Sequence, residues 1–321
     1  MEQDVRVIPY KVIAEAEETK EVPQGVELIQ APKLWDRTKG KGIKVAVLDT
    51  GCETTHPDLK DQIIGGRNFT DDDRSNPDIY TDYNGHGTHV AGTIAAHEND
   101  DGVIGVAPEA GLLIVKVLNK AGSGKYEWII KGIQYAIDQE VDIISMSLGG
   151  PADVPELHEV IKAAVEKNIL VVCAAGNEGD GDDSTNEFAY PGAYNEVISV
   201  GAVNLERGSS EFTNSNNEVD VVAPGERITS TYLNGKYATL SGTSMAAPHV
   251  SGALALIKTL ANAQFERDLT EPELYGQLIK RTVPLGNSPK LEGNGLVYLT
   301  VPEHLAEIFG QSFKTMVMDA I

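Results

Sequence analysis

The sequence predicts an α/β fold, namely a doubly wound, mostly parallel β-sheet with helices on both faces. Two patterns predict this fold class. Several short apolar runs are continuous rather than alternating, which is typical of strands buried on both faces of a parallel sheet. Between these runs, apolar residues recur about every 3.6 positions, as they do on amphipathic helices. The chain has 321 residues, of which 41% are hydrophobic and 23% charged, so it can bury a large globular core.

Strand and helix candidates alternate along the chain. Continuous apolar runs predict strands at 43–48, 112–118, 141–146, 170–174, 197–203 and 219–222. Periodic apolar residues predict helices at 128–137 and 157–165, between strands. The small apolar residues of 245–260 predict a helix at the centre of the molecule, and 302–321 is expected to form a short amphipathic helix. Glycine pairs such as Gly65-Gly66 predict tight turns at strand ends.

Charge and composition limit the partners and the location. The chain has 26 Lys and Arg against 48 Asp and Glu, a net charge of −22. Such an acidic surface repels phosphates, so we expect neither nucleic acid nor an anionic membrane as a partner. The sequence starts without a secretory signal, and no run approaches the roughly 18 consecutive apolar residues of a membrane helix. Cys52 and Cys173 lie in apolar runs and are expected to be buried, reduced thiols, so the features together predict a cytoplasmic protein.

Three segments carry candidate catalytic side chains. Asp49 ends a predicted strand in VAVLDTG, His86 lies between glycines at a helix start in NGHGTHVAG, and Ser244 begins the buried helix in SGTSMAAPH. Asn177 follows a further strand in AAGN. Taken singly, the aspartate and the asparagine suit turns, the histidine suits a loop and the serine suits a helix N-cap. Their joint occurrence, in the order Asp, His, Ser, indicates a catalytic triad.

The order and the motifs resemble those of the subtilisin-like serine proteases. DTG, GHGTHVAG and GTSMAAPH are similar to the three active-site signatures of that family, and the similarity covers about residues 22–282. The short leader and the absence of a signal peptide resemble the bacterial intracellular subtilisins in particular. The resemblance implies a subtilisin-like fold and a serine endopeptidase of broad specificity that hydrolyses intracellular proteins. It also implies three parts: an inhibitory leader (1–20), a catalytic domain (21–300) and a C-terminal tail (301–321).

The resemblance implies the role of each catalytic residue, and acid–base chemistry explains it. A serine hydroxyl is a poor nucleophile, so Ser244 needs a base within about 2.6–3.2 Å. His86 would accept its proton and pass it to the leaving amine, while Asp49 orients the imidazole. Asn177 would donate its side-chain N–H to the oxyanion, beside the backbone N–H of Ser244. Because the base must be neutral, activity should fall as the pH drops below roughly 6.5–7.

The resemblance also implies a cleft that binds an extended peptide through its main chain. The implied substrate-binding residues are Ser147, Leu148, Gly149, Ala174, Ala175 and Gly176. Main-chain pairing accepts almost any sequence, and the small residues leave room for a large side chain before the cleaved bond. We therefore expect broad specificity with an apolar or aromatic preference. The alternative is that these are ordinary strand ends whose glycines are required for steric reasons.

Calcium is the cofactor that the resemblance implies. The loop 97–103 is similar to the family's calcium loop, with the side chains of Asp58 and Asn99 as implied ligands. The carbonyls of His97, Asp101 and Val103 complete the set. Lys20 stands where the family often has a glutamine ligand, so the sixth ligand remains open, as does a weaker cation site around Gly192, Tyr194 and Val197. The alternative for the loop is a solvated acidic turn. Zinc binding by His86 and His89 is not expected, because no third ligand is suitably spaced.

The leader is predicted to restrain the protease. Its segment Val7-Ile8-Pro9-Tyr10 is apolar, and Pro9 both fixes the backbone and lacks a donor. The resemblance implies that this segment lies back across the cleft and is cut off on activation; the alternative is a disordered tail. The expected partners are protein and peptide substrates, the leader itself and, through the C-terminal tail, a second copy in a homodimer.

Two other classes of protein, a peptide-binding module and a nucleotide-binding α/β protein, are alternatives to a serine endopeptidase. A peptide-binding module could retain the fold without the chemistry, but all four candidate catalytic residues are present. A nucleotide-binding α/β protein would need a glycine-rich phosphate loop after its first strand, and the segment from Asp49 to Cys52 does not provide one.

Overall fold

The computed structural model describes residues 4–99 and 101–309. Strands and helices are numbered here in chain order. The strands are β1 (Asp4–Val7), β2 (Lys11–Ala16), β3 (Lys20–Glu21), β4 (Lys44–Asp49), β5 (Ile63–Asn68), β6 (Gly102–Val103), β7 (Gly111–Lys116), β8 (Ser123–Lys125), β9 (Ile143–Met146), β10 (Leu148–Gly149), β11 (Leu170–Ala174), β12 (Ile198–Val203), β13 (Val219–Pro224), β14 (Ile228–Thr231), β15 (Tyr237–Ser241), β16 (Thr282–Val283) and β17 (Leu296–Val297).

Eight α-helices and short 3₁₀ turns connect the strands within the described ranges. The α-helices are α1 (Gln24–Leu28), α2 (His86–Ala95), α3 (Tyr126–Asp138), α4 (Pro155–Glu166), α5 (Thr243–Phe265), α6 (Glu271–Ile279), α7 (Pro289–Glu292) and α8 (Val301–Phe309). The 3₁₀ turns are Ala31–Leu34, Asp72–Ser75 and Leu233–Gly235. Helix α8 covers the start of the predicted C-terminal helix, and residues 310–321 of that prediction lie outside the described residues.

The main sheet confirms the predicted fold class. Its nine strands run in the order β16-β17-β13-β12-β11-β9-β4-β7-β5. Within this sheet the neighbouring pairs are parallel from β5 through to β17, and the described pair β16-β17 at the other edge is antiparallel. The central strands β4, β9 and β11 are buried throughout or nearly so, as their continuous apolar runs predict.

Successive residues of each strand face opposite sides of the sheet, and each side has its own core. Val45 and Val47 of β4 belong to one buried cluster, together with apolar residues of α2 and α5. Ala46 and Leu48 belong to the other, together with apolar residues of α3 and α4. The period-two alternation of a strand therefore supplies both layers of helices with a surface to pack on. The sheet is accordingly covered on both faces.

The prediction of a tight turn at Gly65-Gly66 is wrong. Both glycines lie inside the edge strand β5, where the register shifts after Ile63. A Cβ on Gly66 would lie 2.5 Å from the carbonyl oxygen of Ile114 and 2.9 Å from the ring of Tyr80. Glycine is required at position 66 because the neighbouring strand approaches closely, and not because the chain turns there.

The leader forms strands of its own. β1 lies between β8 and β10 in a small antiparallel sheet, and β2 adds to β15 in the sheet β14-β15-β2. β3 pairs with β6. The two cysteines are buried and unpaired, and burial raises the pKa of both thiols, as expected for inert core residues. Within the described ranges, no helix is long and apolar enough to span a bilayer.

Candidate active site

A buried carboxylate and a buried imidazole meet at the carboxyl edge of the main sheet. Asp49 is the last residue of β4, and His86 is the first residue of α2. His86 Nδ1 lies 2.8 Å from Asp49 Oδ1 and 3.0 Å from Asp49 Oδ2. Because a carboxylate accepts hydrogen bonds, Nδ1 carries the hydrogen and Nε2 of the neutral ring is left with its lone pair. The side chains are 1% and 0% exposed, so water does not compete for this bond.

Asp82, which the sequence analysis did not single out, fixes the start of α2. Its Oδ1 accepts from the backbone N–H groups of Asn84 and Gly85, at 2.8 and 3.0 Å. Its Oδ2 accepts from the N–H and the hydroxyl of Thr88, at 3.0 and 2.7 Å. The Thr50 hydroxyl also donates to Asp82, so one carboxylate ties the end of β4 to the start of the helix. An acidic residue just before a helix start was the available signal.

Ser244 lies in the first turn of α5, and the sequence of this helix explains its contacts. Pro248 lacks an N–H, so the Ser244 carbonyl loses the donor that usually lies four residues further along the helix. The Ser147 hydroxyl donates to this carbonyl at 3.0 Å. In return the Ser244 hydroxyl donates to the Ser147 carbonyl oxygen at 3.2 Å. Ser147 thus attaches the first turn of α5 to the segment between β9 and β10.

One of the two hydrogen bonds of the predicted triad is present. The Ser244 hydroxyl bonds to Ser147, and His86 Nε2 is buried without a hydrogen-bond partner among the described residues. The ring of Tyr10 packs against the imidazole, with 4.9 Å between ring centroids. In other hydrolases such bonds are often long until substrate binds. In this structure Asp49 is therefore hydrogen-bonded to His86, whereas the Ser244 hydroxyl is not bonded to the imidazole.

Asn177 directs its amide N–H group into the cleft. Its Oδ1 accepts from the backbone N–H of Thr243 at 2.9 Å and from the Thr243 hydroxyl at 2.7 Å. These two bonds determine which end of the amide faces outward. The outward Nδ2 donates to the carbonyl oxygen of Pro9 at 2.6 Å. The cleft-facing N–H of Asn177 therefore binds a carbonyl of the leader. Thr243, which orients this amide, was not among the residues predicted from the sequence.

The leader runs through the cleft between two strands. β1 is antiparallel to both β10 and β8. The paired residues include Arg6 with Gly149, Val7 with Leu148 and, on the other side, Val5 with Gly124. The Val5 side chain is fully buried in the same apolar cluster as Leu148. The sequence did not lead us to expect β8 as the second strand beside the leader. The feature that could have indicated it is the small-residue segment GSG, which follows a predicted strand.

The remaining predicted cleft residues lie near the end of β11, and the hydrogen bonds described here join them to residues outside the leader. Ala174, Ala175 and Gly176 are buried at and just beyond the end of β11. The N–H of Ala175 donates to Val200, and the carbonyl of Gly176 accepts from Asn214. A cavity of about 310 Å³ adjoins the leader, and its lining includes Ile8, Pro9, Gly149, Phe188 and Ala189. Ile8 and Pro9 of the leader therefore line this cavity together with Gly149 of β10.

Comparison with known proteins identifies the family. The model of the subtilase family matches residues 40–300. The chain belongs to the subtilase family. It is 72% identical over 309 residues to an intracellular serine protease of Paenibacillus polymyxa, covering 96% of this chain and 95% of the relative. It is 62% identical over 314 residues to the major intracellular serine protease of Bacillus subtilis strain 168 (97% and 98% covered), and 46% identical over 286 residues to subtilisin E of that strain (88% and 71%).

The predicted calcium loop of this subtilase surrounds a buried carboxylate. Asp58 is 1% exposed and accepts from Asn99 Nδ2 at 2.8 Å and from the N–H of Val103 at 3.0 Å. A Cβ on Gly102 would lie 2.2 Å from Asp58 Oδ2, so the loop closes tightly on the carboxylate. Lys20 reaches this loop through its backbone, opposite Gly102. The loop residue Asp100 lies outside the described residues.

The ligands implied for this loop are all oxygen atoms, which are the ligands that calcium prefers. Asp58 and Asn99 provide side-chain oxygens, and the remaining implied ligands, His97, Asp101 and Val103, provide carbonyl oxygens. Among residues 4–99 and 101–309, no three His, Cys, Asp or Glu side chains form a metal-binding group. At the predicted weaker site, the Tyr194 carbonyl accepts from the N–H of Val197 at 3.2 Å.

Two histidines near the subtilase active site are buried and neutral. His89 Nε2 lies 3.0 Å from the Ile228 carbonyl and 3.1 Å from the Ala238 carbonyl, which connects α2 to β14 and β15. His249 Nδ1 lies 2.8 Å from the Met245 carbonyl in α5. Burial lowers the pKa of His89 to about 3 and that of His249 to about 4. Both side chains therefore serve the packing of the site rather than proton transfer.

Proposed function

We propose that this subtilase, a serine endopeptidase, hydrolyses proteins of the cytoplasm through a triad of Asp49, His86 and Ser244. The hydrogen bond between Asp49 and His86 Nδ1 carries the proposal, because it orients Nε2 as a base in a site shielded from water. The two relatives of highest identity given above are named as intracellular serine proteases, which supports the cytoplasmic location.

The proposed reaction has two halves. The Ser244 hydroxyl attacks the peptide carbonyl, and its proton passes to His86 Nε2 and then to the leaving amine. Asn177 Nδ2 and the Ser244 backbone N–H, at the positive end of α5, stabilise the oxyanion. Water then attacks the acyl-enzyme with the same histidine as base. Asp49 holds the imidazole and stabilises its charged form throughout.

The leader is proposed to restrain this activity by occupying the cleft. Strand β1 pairs with both cleft walls, Pro9 accepts the Asn177 hydrogen bond, and Tyr10 covers His86. A peptide substrate needs the same groups, so it must displace the leader first. The pairing runs through main-chain groups, which also supports broad specificity.

Calcium is the proposed cofactor. When bound, it would neutralise the buried Asp58 carboxylate and crosslink its loop. Asp58, Asn99 and the carbonyls of His97, Asp101 and Val103 are the proposed ligands. We also expect a homodimer formed through residues 301–321, which sedimentation velocity on the full chain tests.

Replacement of the serine tests the central proposal. We expect Ser244→Ala to lower kcat for a chromogenic peptide by about 10⁶, the scale measured for subtilisins, and to abolish labelling by a phosphonylating inhibitor. Ser251→Ala is the matched control, because it removes another buried hydroxyl of α5, one that bonds to Ser145. Equal labelling of the Ser244→Ala chain would contradict the assignment.

A further inference from the structure

Strand β15 has a neighbour on each side, and one of them belongs to the leader. In the sheet β14-β15-β2, the internal strand β15 pairs with β14 on one edge and with β2 on the other. Every residue of β2 is exposed, so its side chains contribute little and its attachment depends on main-chain hydrogen bonds. Wherever the leader is cut away or displaced, β15 becomes an edge strand with unpaired N–H and C=O groups.

The leader is one extended chain on both sides of the catalytic groups. Before Pro9 it pairs with β8 and β10, at Pro9 and Tyr10 it contacts Asn177 and His86, and after Tyr10 it pairs with β15. Strand β15 ends at Ser241, immediately before the turn that leads into Ser244. The β15 edge is therefore the continuation of the cleft on the carboxyl-terminal side of the bond to be cut.

We propose that β15 is an extended binding site for substrate, and that its occupant is an unfolded polypeptide that adds a strand to this edge. The inference rests on the proposed function, because it takes the leader as occupying the path of a substrate. Tyr237, Ala238 and Thr239 extend the path beyond the residues next to the cleaved bond, since they pair with Ala16, Glu15 and Ala14 of the leader.

The strand is held in place independently of the leader. Ala238 and Leu240 are 2% and 0% exposed and belong to the main core. The hydroxyls of Thr229 and Thr239 lie 3.1 Å apart across β14 and β15, and His89 contacts the Ala238 carbonyl. Because packing and β14 hold β15, its free edge is preorganised for the next extended chain.

Recognition at this edge is expected to depend on chain length more than on sequence. Among its described residues the leader makes one ion pair there, between Glu17 Oε1 and Lys236 Nζ at 2.6 Å. An acidic residue at the corresponding place in a substrate is therefore favoured modestly and in a salt-dependent way. Short peptides end before reaching Thr239, whereas unfolded proteins continue along the whole strand.

Peptides of different length test the proposal on the full chain carrying Val5→Asp. This variant places a charge at the buried position of Val5 and so weakens the binding of β1 in the cleft. Two internally quenched peptides share the residues around the cleaved bond and extend three or nine residues beyond it. We expect kcat/KM to be about three- to tenfold higher for the longer peptide, mainly through KM. N-methylation at one set of alternate residues should remove the gain, and N-methylation at the other set should keep it.

Two proline variants of the leader give a second, independent readout. Ala14 and Glu15 are adjacent, so only one of their N–H groups faces β15 and the other faces solvent. Of Ala14→Pro and Glu15→Pro, each added to the Val5→Asp chain, one should release β2 and raise kcat/KM for the longer peptide more than for the shorter. The other is the matched control, and unchanged thermal unfolding shows that both chains are folded.

The outcomes separate the inference from the proposed function. Equal kcat/KM for both peptides in all these chains, including the one in which β2 is released, or a gain that no N-methylation removes, overturns the β15 site while leaving the protease intact. Failure to hydrolyse either peptide, with no labelling of Ser244, overturns the proposed function and the inference with it.

Discussion

The proposed stabilisation of the oxyanion depends on the orientation of one amide. Asn177 presents its N–H group to the cleft because Thr243 donates twice to its Oδ1, once from the backbone and once from the hydroxyl. The sequence motif pointed to the asparagine but not to this partner, since the two residues are 66 positions apart. Contacts between distant segments follow from the fold, so Thr243 was found only in the structure. Asp82 differs, because most of its contacts are within six residues and an acidic residue before a helix start is a local signal.

Removal of the Thr243 hydroxyl should weaken catalysis without weakening binding. Thr243→Val keeps the size and the backbone bond but loses the hydroxyl bond, so the amide is held less firmly. We expect kcat to fall about tenfold with KM nearly unchanged, as for a group that acts in the transition state. Steady-state kinetics measure this, and Thr243→Ser should restore kcat. A fall confined to KM would show that Thr243 acts on substrate binding instead.

At the scale of elements, the buried strands were predictable and the leader strands were not. The runs that predict β4, β7 and β11 are continuous and apolar because both faces of those strands are covered. Strand β2 is exposed along its whole length and has no such pattern. Its conformation comes from pairing with β15, more than 200 residues away. Non-local pairing of this kind leaves no periodic signal in the sequence.

The proposed restraint by the leader depends on how β1 binds in the cleft. Val5 is fully buried in the cleft, so Val5→Asp forces an unpaired carboxylate into an apolar site. We expect the initial rate on a short peptide to rise about tenfold or more, measured before any leader is cut off. Val12→Asp is the matched control, because that valine is 46% exposed and should leave the rate unchanged. Equal rates for Val5→Asp and the unaltered chain would refute the restraint.

The proposed calcium site around Asp58 would couple calcium binding to stability. Chelation should lower the midpoint of thermal unfolding, because the buried carboxylate loses its counter-ion. Asp58→Asn should remove most of this calcium response. Asp101→Asn is the matched control, since Asp101 is an exposed member of the same loop and is proposed to bind only through its carbonyl. Differential scanning calorimetry with and without chelator measures both, and a full response in Asp58→Asn would exclude this site.

For the whole molecule, two buried neutral histidines near the active site make the folding stability depend on pH. His89 and His249 are fully buried, and burial lowers their pKa to about 3 and about 4, whereas unfolding restores the ordinary value of 6.5. Below that value the unfolded chain binds more protons than the folded one. Folding stability should therefore fall as the pH drops from about 6.5 towards 4, by up to about 1.4 kcal/mol per pH unit for each histidine.

Replacement of one histidine separates its contribution to the pH dependence of stability from the contribution of the carboxylates. His249→Asn, in a Ser244→Ala chain that cannot digest itself, retains a donor for the Met245 carbonyl but has no proton to gain. We expect it to lower stability at every pH through lost packing, yet to lose less stability between pH values of about 7.5 and 5 than the parent. His304→Asn, at an exposed site, is the control and should titrate as the parent does. Parallel pH curves for His249→Asn and the parent would show that the buried imidazole does not govern acid stability.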